Sequence, residues 1–168
     1  METLAAISKA ITIREFEQNR TVPIETIRSI LEAGRMTPSA RNKQPWYFVA
    51  ITDRGLLKSI GEIAQTGPYI ADASFAVAVV TDPQNKWHEI DGTRAIQNMT
   101  IAAWDLGLGG SWVGSIDKEK AKELLNVPNE LNILTIVPFG YPTKKYAGKK
   151  SRKPFGEVAF LNSFGGKL

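Results

Sequence analysis

The chain contains no cysteine among its 168 residues. Disulfides, thiolate metal ligands and cysteine nucleophiles are therefore excluded. Histidine occurs once, as His88, so no site needing several imidazoles can form, and any Ser–His triad would have to use that one ring. Ser39 lacks a G-x-S-x-G context. His88 follows Trp87 in a polar stretch, where it reads as a surface histidine rather than a general base. Asp, Glu and His never adopt a ligand spacing such as H-E-x-x-H, so no metal site is expected. No apolar run reaches about 18 residues, and the N-terminus carries no signal-peptide core. The expected location is the cytoplasm, with no membrane partner. Internal repeats, low-complexity tracts and linkers are also missing, and 168 residues suit a single domain spanning residues 1–168.

What is present is ordinary in bulk and uneven in detail. Hydrophobic residues make up 43% and charged residues 23%, within the usual range for a globular domain. The formal net charge is +4, and much of the excess is local: Lys144, Lys145, Lys149, Lys150, Arg152 and Lys153 crowd one short stretch. Such a patch suits nucleic acid, a phosphorylated small molecule or plain solvent. No aromatic-interleaved platform or nucleic-acid motif accompanies it, so nucleic acid is not an expected partner.

Periodicity predicts helices over residues 3–10, 24–33, 54–64, 92–106 and 118–125, with Thr21, Asp53 and Asp117 as caps for the second, third and fifth. The 92–106 helix carries a face of small residues (Ala95, Ala102 and Ala103 beside Met99), which suits close approach of another helix. Residues 12–16 read as extended. Strands are predicted at 46–52, 75–80, 111–114 and 133–140, with 157–161 as a fifth. The 75–80 run is apolar throughout and reads as buried on both faces. Gly107-Leu108-Gly109-Gly110 follows a helix and precedes a strand, the reverse of a dinucleotide fingerprint. It reads as a turn that also lets backbone approach closely. Helices and strands interleave, so the class is α/β or α+β, and periodicity does not choose between them.

The stretch Met36 to Trp46 stands apart. Within it, Pro38, Ser39, Arg41, Asn42, Lys43, Gln44 and Pro45 join a helix to a strand. Asn and Gln amides donate and accept in one plane, so such a loop can read the edge of a flat heterocycle. It can equally be a connection with ordinary turn chemistry. Elsewhere Arg14 and the pair Lys150 and Arg152 could neutralise a phosphate, or be solvated surface charges.

Four segments in this order resemble the FMN-dependent nitroreductase family across nearly the whole chain. Ala10-Ile11-Thr12-Ile13-Arg14-Glu15-Phe16 is similar to its R-R-S-x-R-x-F pattern. Pro38-Ser39-Ala40-Arg41-Asn42-Lys43-Gln44-Pro45-Trp46 matches P-S-x-x-N-x-Q-P-W. Gln97-Asn98, Leu106-Gly107-Leu108-Gly109 and Trp112-Val113-Gly114 match its central helix and following strand. Lys150-Ser151-Arg152-Lys153-Pro154-Phe155-Gly156-Glu157-Val158 matches K-x-R-x-P-x-x-E-V.

The resemblance implies an α+β fold, a central and mostly antiparallel sheet of four or five strands flanked by helices. It implies an intertwined homodimer, with the C-terminal strand exchanged to the partner and FMN at the interface. Arg14, Lys150 and Arg152 would face the FMN phosphate, with the Thr12 hydroxyl beside them. Pro38, Ser39 and Ala40 would line the flavin and its ribityl chain. Asn42 and Gln44 would touch the flavin edge, and Gly114 and Ser115 would offer backbone groups near its reactive nitrogen. The implied activity is hydride transfer from NADH or NADPH to the flavin, and then to a nitroaromatic, quinone or similar small-molecule acceptor, in a ping-pong sequence. The cofactor carries the chemistry, so no catalytic side chain is expected. Ala10 and Ile11 replace two arginines of the pattern, a loss that Arg41 or Lys43 could offset. That loss motivates the alternative, a non-catalytic flavin- or nucleotide-binding module of the same fold. The short stretch 82–91 implies an open pocket.

Overall fold

The computed structural model describes residues 3–146 and 150–168; Lys149 of the basic segment lies outside them. Its elements are α1 (Thr3–Lys9), α2 (Ile24–Arg35), β1 (Trp46–Ile51), α3 (Arg54–Glu62), β2 (Phe75–Thr81), α4 (His88–Asp105), β3 (Gly109–Gly110), α5 (Lys118–Leu125) and β4 (Asn132–Gly140). The strands form one antiparallel sheet in the order β1-β2-β4-β3.

The centre of the sheet is β2, and every one of its residues is buried. Successive strand side chains point to opposite faces, and β2 feeds a core on each. Ala76, Ala78 and Val80 join Leu57 and Ile60 of α3 and Ala121 of α5. Phe75, Val77 and Val79 join Ile27 and Ile30 of α2 and Ile96, Met99 and Ala103 of α4. The sheet is thus sandwiched, with α3 and α5 on one face and α2 and α4 on the other. Phe75 stacks on Phe139 of β4, ring centroids 5.2 Å apart, across the Phe75–Phe139 register pair.

Local signals set several boundaries. Asp53 accepts from the Leu56 N–H at 2.7 Å, and Asp117 from the Lys120 N–H at 3.1 Å, so both act as helix caps. Thr21 does not cap α2: the N-cap is Pro23, whose carbonyl takes the N–H groups of Thr26 and Ile27. The long helix begins at His88 rather than residue 92. His88 is accordingly not a free surface ring. It is half-buried, and its Nδ1 shares a hydrogen bond with Thr81 Oγ1 at 2.9 Å. The small-residue face of α4 is occupied within the chain: Ala95, Met99 and Ala103 are buried, and Gly34 of α2 sits so close that a Cβ there would fall 2.9 Å from Met99 Cγ.

The glycine run ends α4, with Gly107 at φ +79°, and its pairing residues are Gly109 and Gly110 rather than 111–114. Pairing stops there because the next position of β4 is Pro138, which has no N–H to donate, and the Ser111 N–H reaches its carbonyl only at 3.4 Å. The extended 12–16 segment lies alongside: Thr12 bridges Gly110, Phe16 bridges Pro142, and the Ile13 N–H donates to the Gly110 carbonyl at 2.9 Å. Residues 157–161 add no fifth strand in the single chain. A short 3-10 turn occupies Phe155–Glu157, since a strand needs a sheet edge beside it. No helix among the described residues is long and apolar enough to cross a membrane.

Candidate functional site

Helix α4 places two parts of the site. From one side it forms the floor of a groove of about 280 Å³, with Ile96, Gln97 and Thr100. Thr12 lines the same groove, together with Gly110, Ser111 and Trp112 and the tail residues Lys150 and Arg152. Three residues separated by most of the chain are thus brought together, because the 12–16 segment is pinned to Gly110 and the tail returns to α1. Lys150 Nζ donates to the Ile7 carbonyl at 2.6 Å, and Arg152 Nη1 to the Ser151 carbonyl at 2.6 Å. Both cations keep further N–H groups, so the groove presents two positive charges and a hydroxyl. Ala10 and Ile11 also line it, leaving an apolar patch where the motif pattern has arginines. Neither Arg41 nor Lys43 is part of its lining.

Arg14 stands one step away. Its guanidinium carbon is 6.0 Å from the centroid of the Tyr69 ring, and the Tyr69 hydroxyl is hydrogen-bonded to Ser111 Oγ at 3.0 Å. Arg14 is exposed and is not part of the groove's lining.

The second part is the loop between α2 and β1. Arg41, Asn42 and Gln44 all have left-handed backbones, with φ of 53°, 55° and 49°. Three such residues in four, none glycine, are strained and persist only where their surroundings hold them. The restraints are visible. The Gln44 N–H donates to Ser39 Oγ at 2.9 Å, and Gln44 Nε2 to the Asn42 carbonyl at 3.3 Å. Asn98 Nδ2 of α4 donates to Thr37 Oγ1 at 2.7 Å. The Ala40 N–H donates to Asp91 Oδ2, also of α4, at 3.0 Å. Pro38 is exposed, as are the side chains of Asn42 and Gln44.

Gly114 and Ser115 lie on a third segment. Gly114 is exposed. The Ser115 N–H is engaged by Thr66 Oγ1 at 2.8 Å, its carbonyl by the Thr66 N–H at 3.3 Å, and its hydroxyl by Gln65 Oε1 at 2.9 Å. At the other end of the 12–17 segment, Lys144 Nζ donates to Glu15 Oε2 at 2.8 Å. That hydrogen bond, and then the charge it carries, hold the Glu15 carboxyl below its ordinary range and Lys144 above its own. Among the described residues, no group of three or more His, Cys, Asp or Glu could hold a metal ion.

The model of the nitroreductase family matches residues 7–86 and 66–141. The chain belongs to the nitroreductase family. A protein of Archaeoglobus fulgidus carried under the provisional name NADH dehydrogenase/NAD(P)H nitroreductase is 34% identical over 151 residues, covering 84% of this chain and 86% of its own length. A solved structure from Bacteroides thetaiotaomicron, with the same provisional name, superposes at a TM-score of 0.87 with 27% identity and covers 95% of this chain and 96% of its own. An FMN-dependent nitroreductase from Clostridium difficile superposes at 0.88 with 21% identity, over 96% of this chain and 99% of its own. The antiparallel sheet flanked by helices is thus a nitroreductase-like fold, and the chain is an oxidoreductase of that family.

Sequence reasoning missed Asp91, Tyr69 and Ser111, and it matched Gln97-Asn98 to a motif without giving Asn98 a role. For Asp91 and Asn98 a signal existed. Positions 91 and 98 lie two helical turns apart and so share a face, but residue 91 fell in the polar stretch read as preceding the helix.

Proposed function

We propose that the chain is an FMN-dependent NAD(P)H oxidoreductase working as a homodimer, with FMN at the interface. The observation that supports it best is the groove in which Thr12, Lys150 and Arg152 meet. Two cations and a hydroxyl on one wall fit a phosphomonoester. The strained, amide-bearing loop supplies the second requirement, donors and acceptors for the edge of a flat ring. FMN held there would supply hydride-transfer chemistry between NADH or NADPH and a nitroaromatic, quinone or similar acceptor, in a ping-pong sequence.

The chain's own residues bind and orient. Lys150 and Arg152 hold the phosphate, with Thr12 donating beside them and Arg14 adding positive charge from over the Tyr69 ring. Pro38, Ser39 and Ala40 line the flavin, while Asn42 and Gln44 read its edge. Gly114 offers backbone near the reactive nitrogen, and Ser115 is held next to it by Thr66. The loop and the groove sit on separate parts of one chain, which is why a second copy belongs in the reading. Segment 157–161 would become a strand on the partner. Edge strand β1 has a neighbour on one side only among the described residues, and such edges are ordinarily paired or protected.

The absorption spectrum of the purified protein tests the reading. A flavin spectrum bleached by NADH or NADPH and restored by an acceptor is expected. A colourless protein that takes up no added FMN would remove it. One observation favours a second reading: Ala10 and Ile11 leave part of the groove apolar, which fits a flavin-binding module without turnover. Stoichiometric flavin binding with no bleaching by either nicotinamide would select that alternative.

A further inference from the structure

Several hydrogen bonds hold the loop, and one of them ends on a buried charge. Asp91 is 2% exposed, and a buried carboxylate is costly unless paired and hydrogen-bonded. Its Oδ2 accepts from the Ala40 N–H at 3.0 Å, and its Oδ1 lies 3.5 Å from Arg94 Nη1. Arg94 is half exposed, so the guanidinium balances the charge from the solvent side while the loop amide is held from within. A charged acceptor makes that hydrogen bond stronger than a neutral one would.

The second restraint comes from the same helix. Asn98 holds Thr37 at 2.7 Å, and positions 91 and 98 stand about 10 Å apart along α4 at ~1.5 Å per residue. Thr37 is gripped by one rung and Ala40 by the other, so Pro38 and Ser39 are suspended between two points on a rigid rod. Immediately beyond Ala40 come Arg41, Asn42 and Gln44 with their left-handed backbones. A left-handed backbone outside glycine is strained, least so for asparagine. The Ala40 N–H is the last point fixed to the helix before that strained run.

The geometry points to Asp91 as a positioning residue: its carboxylate, through the Ala40 N–H, sets the shape in which residues 38–44 meet the flavin. This rests on the flavin reading above. Asp91 acts on the ligand only through the loop.

Hydrogen–deuterium exchange on the flavin-free full chain and FMN titration test it together, on the parent, Asp91→Ala, Asp91→Asn and, as control, Glu89→Ala on the exposed side of the same turn. Asp91→Ala should speed exchange in 37–45 selectively, weaken FMN binding about tenfold or more, the scale of a lost charge-assisted hydrogen bond, and shift the bound-flavin spectrum. Asp91→Asn keeps an acceptor oxygen and should recover part of each change. Glu89→Ala should match the parent. Parent-like loop exchange and FMN affinity in a folded Asp91→Ala would overturn the positioning role. So would a uniform rise in exchange with no change in the flavin spectrum. If Asp91→Ala fails to fold, Asp91→Asn decides by the same criteria. A parent that takes up no FMN overturns the flavin reading and this role with it, whereas a parent that binds FMN beside parent-like variants overturns this role alone.

Discussion

Arg152 lies on the groove wall with one N–H turned to the carbonyl of its own neighbour, Ser151. That bond is local and leaves the guanidinium's remaining donors for an anion. Arg152→Ala should therefore weaken FMN retention by about 1.5–3 kcal/mol, read by flavin fluorescence on titration. Parent-like affinity would mean the phosphate lies elsewhere. Glu15 and Lys144 make a second argument at this scale. The carboxyl is held below its ordinary range, so its contribution is present above that range and lost as pH falls through the lowered value. The ammonium is held above its own range, so its contribution is present below that range and lost as pH rises through the raised value. The tie between residues 12–17 and the segment after β4 should then hold through neutrality and loosen in acid. Exchange at the Thr143 amide, which donates to the Glu15 carbonyl at 3.3 Å, should rise on acidification beyond the intrinsic trend, and Glu15→Gln should remove that excess.

Among the elements, the glycine run after α4 separates two reasons for glycine. A methyl on Gly107 would meet nothing within 4 Å, but φ is +79°. Gly107→Ala should cost about 1–2 kcal/mol through backbone strain alone. Gly109 has the opposite problem, since a methyl there would fall 2.6 Å from Ile13 Cβ, and Ile13 is fully buried. Gly109→Ala should cost about 3 kcal/mol by overpacking and loosen Thr12 with it. Denaturant unfolding of both variants checks the order, and a Gly109→Ala milder than Gly107→Ala would contradict the close approach.

The same elements show what the residues declare in advance. Asp53 and Asp117 are legible as caps because a cap is a contact over three residues. The apolar run 75–80 of β2 is legible as a doubly covered strand because both cores draw on it. Asp91 shares a helix face with Asn98, but its role is not legible, because its partner is 51 residues away and an acidic residue in a first helical turn already has an electrostatic reason to be there. His88 was misplaced with it, since the start of α4 carries no side-chain cap. The pattern of residues 157–161 describes a strand, but no edge in the single chain receives it.

For the whole molecule, the tail is the feature that a single chain explains least. Phe155 is 69% exposed and Phe164 95% exposed, with Val158 and Leu161 open between them. Leu4 and Ile7 of α1 and Ile90 of α4 are exposed as well. Contiguous exposed apolar surface of this kind marks interaction sites in soluble proteins, and a second copy of the chain is the proposed occupant. The full chain should sediment as a dimer, and removal of residues 155–168 should shift it toward monomer and lower FMN retention together. A truncated chain that stays dimeric would place the interface elsewhere.

The two rungs of α4 also act as a ruler. Thr37 and Ala40 are held by Asn98 and Asp91 at a spacing that the helix, not the loop, dictates. One residue inserted or deleted between them must release a rung. Length can change on either side of that interval, in the stretch between β2 and α4 or beyond Gln44, but not inside it. Lineages of this fold that lengthen or shorten to suit new acceptors would therefore keep the count between Thr37 and Ala40 constant even where every side chain between them drifts.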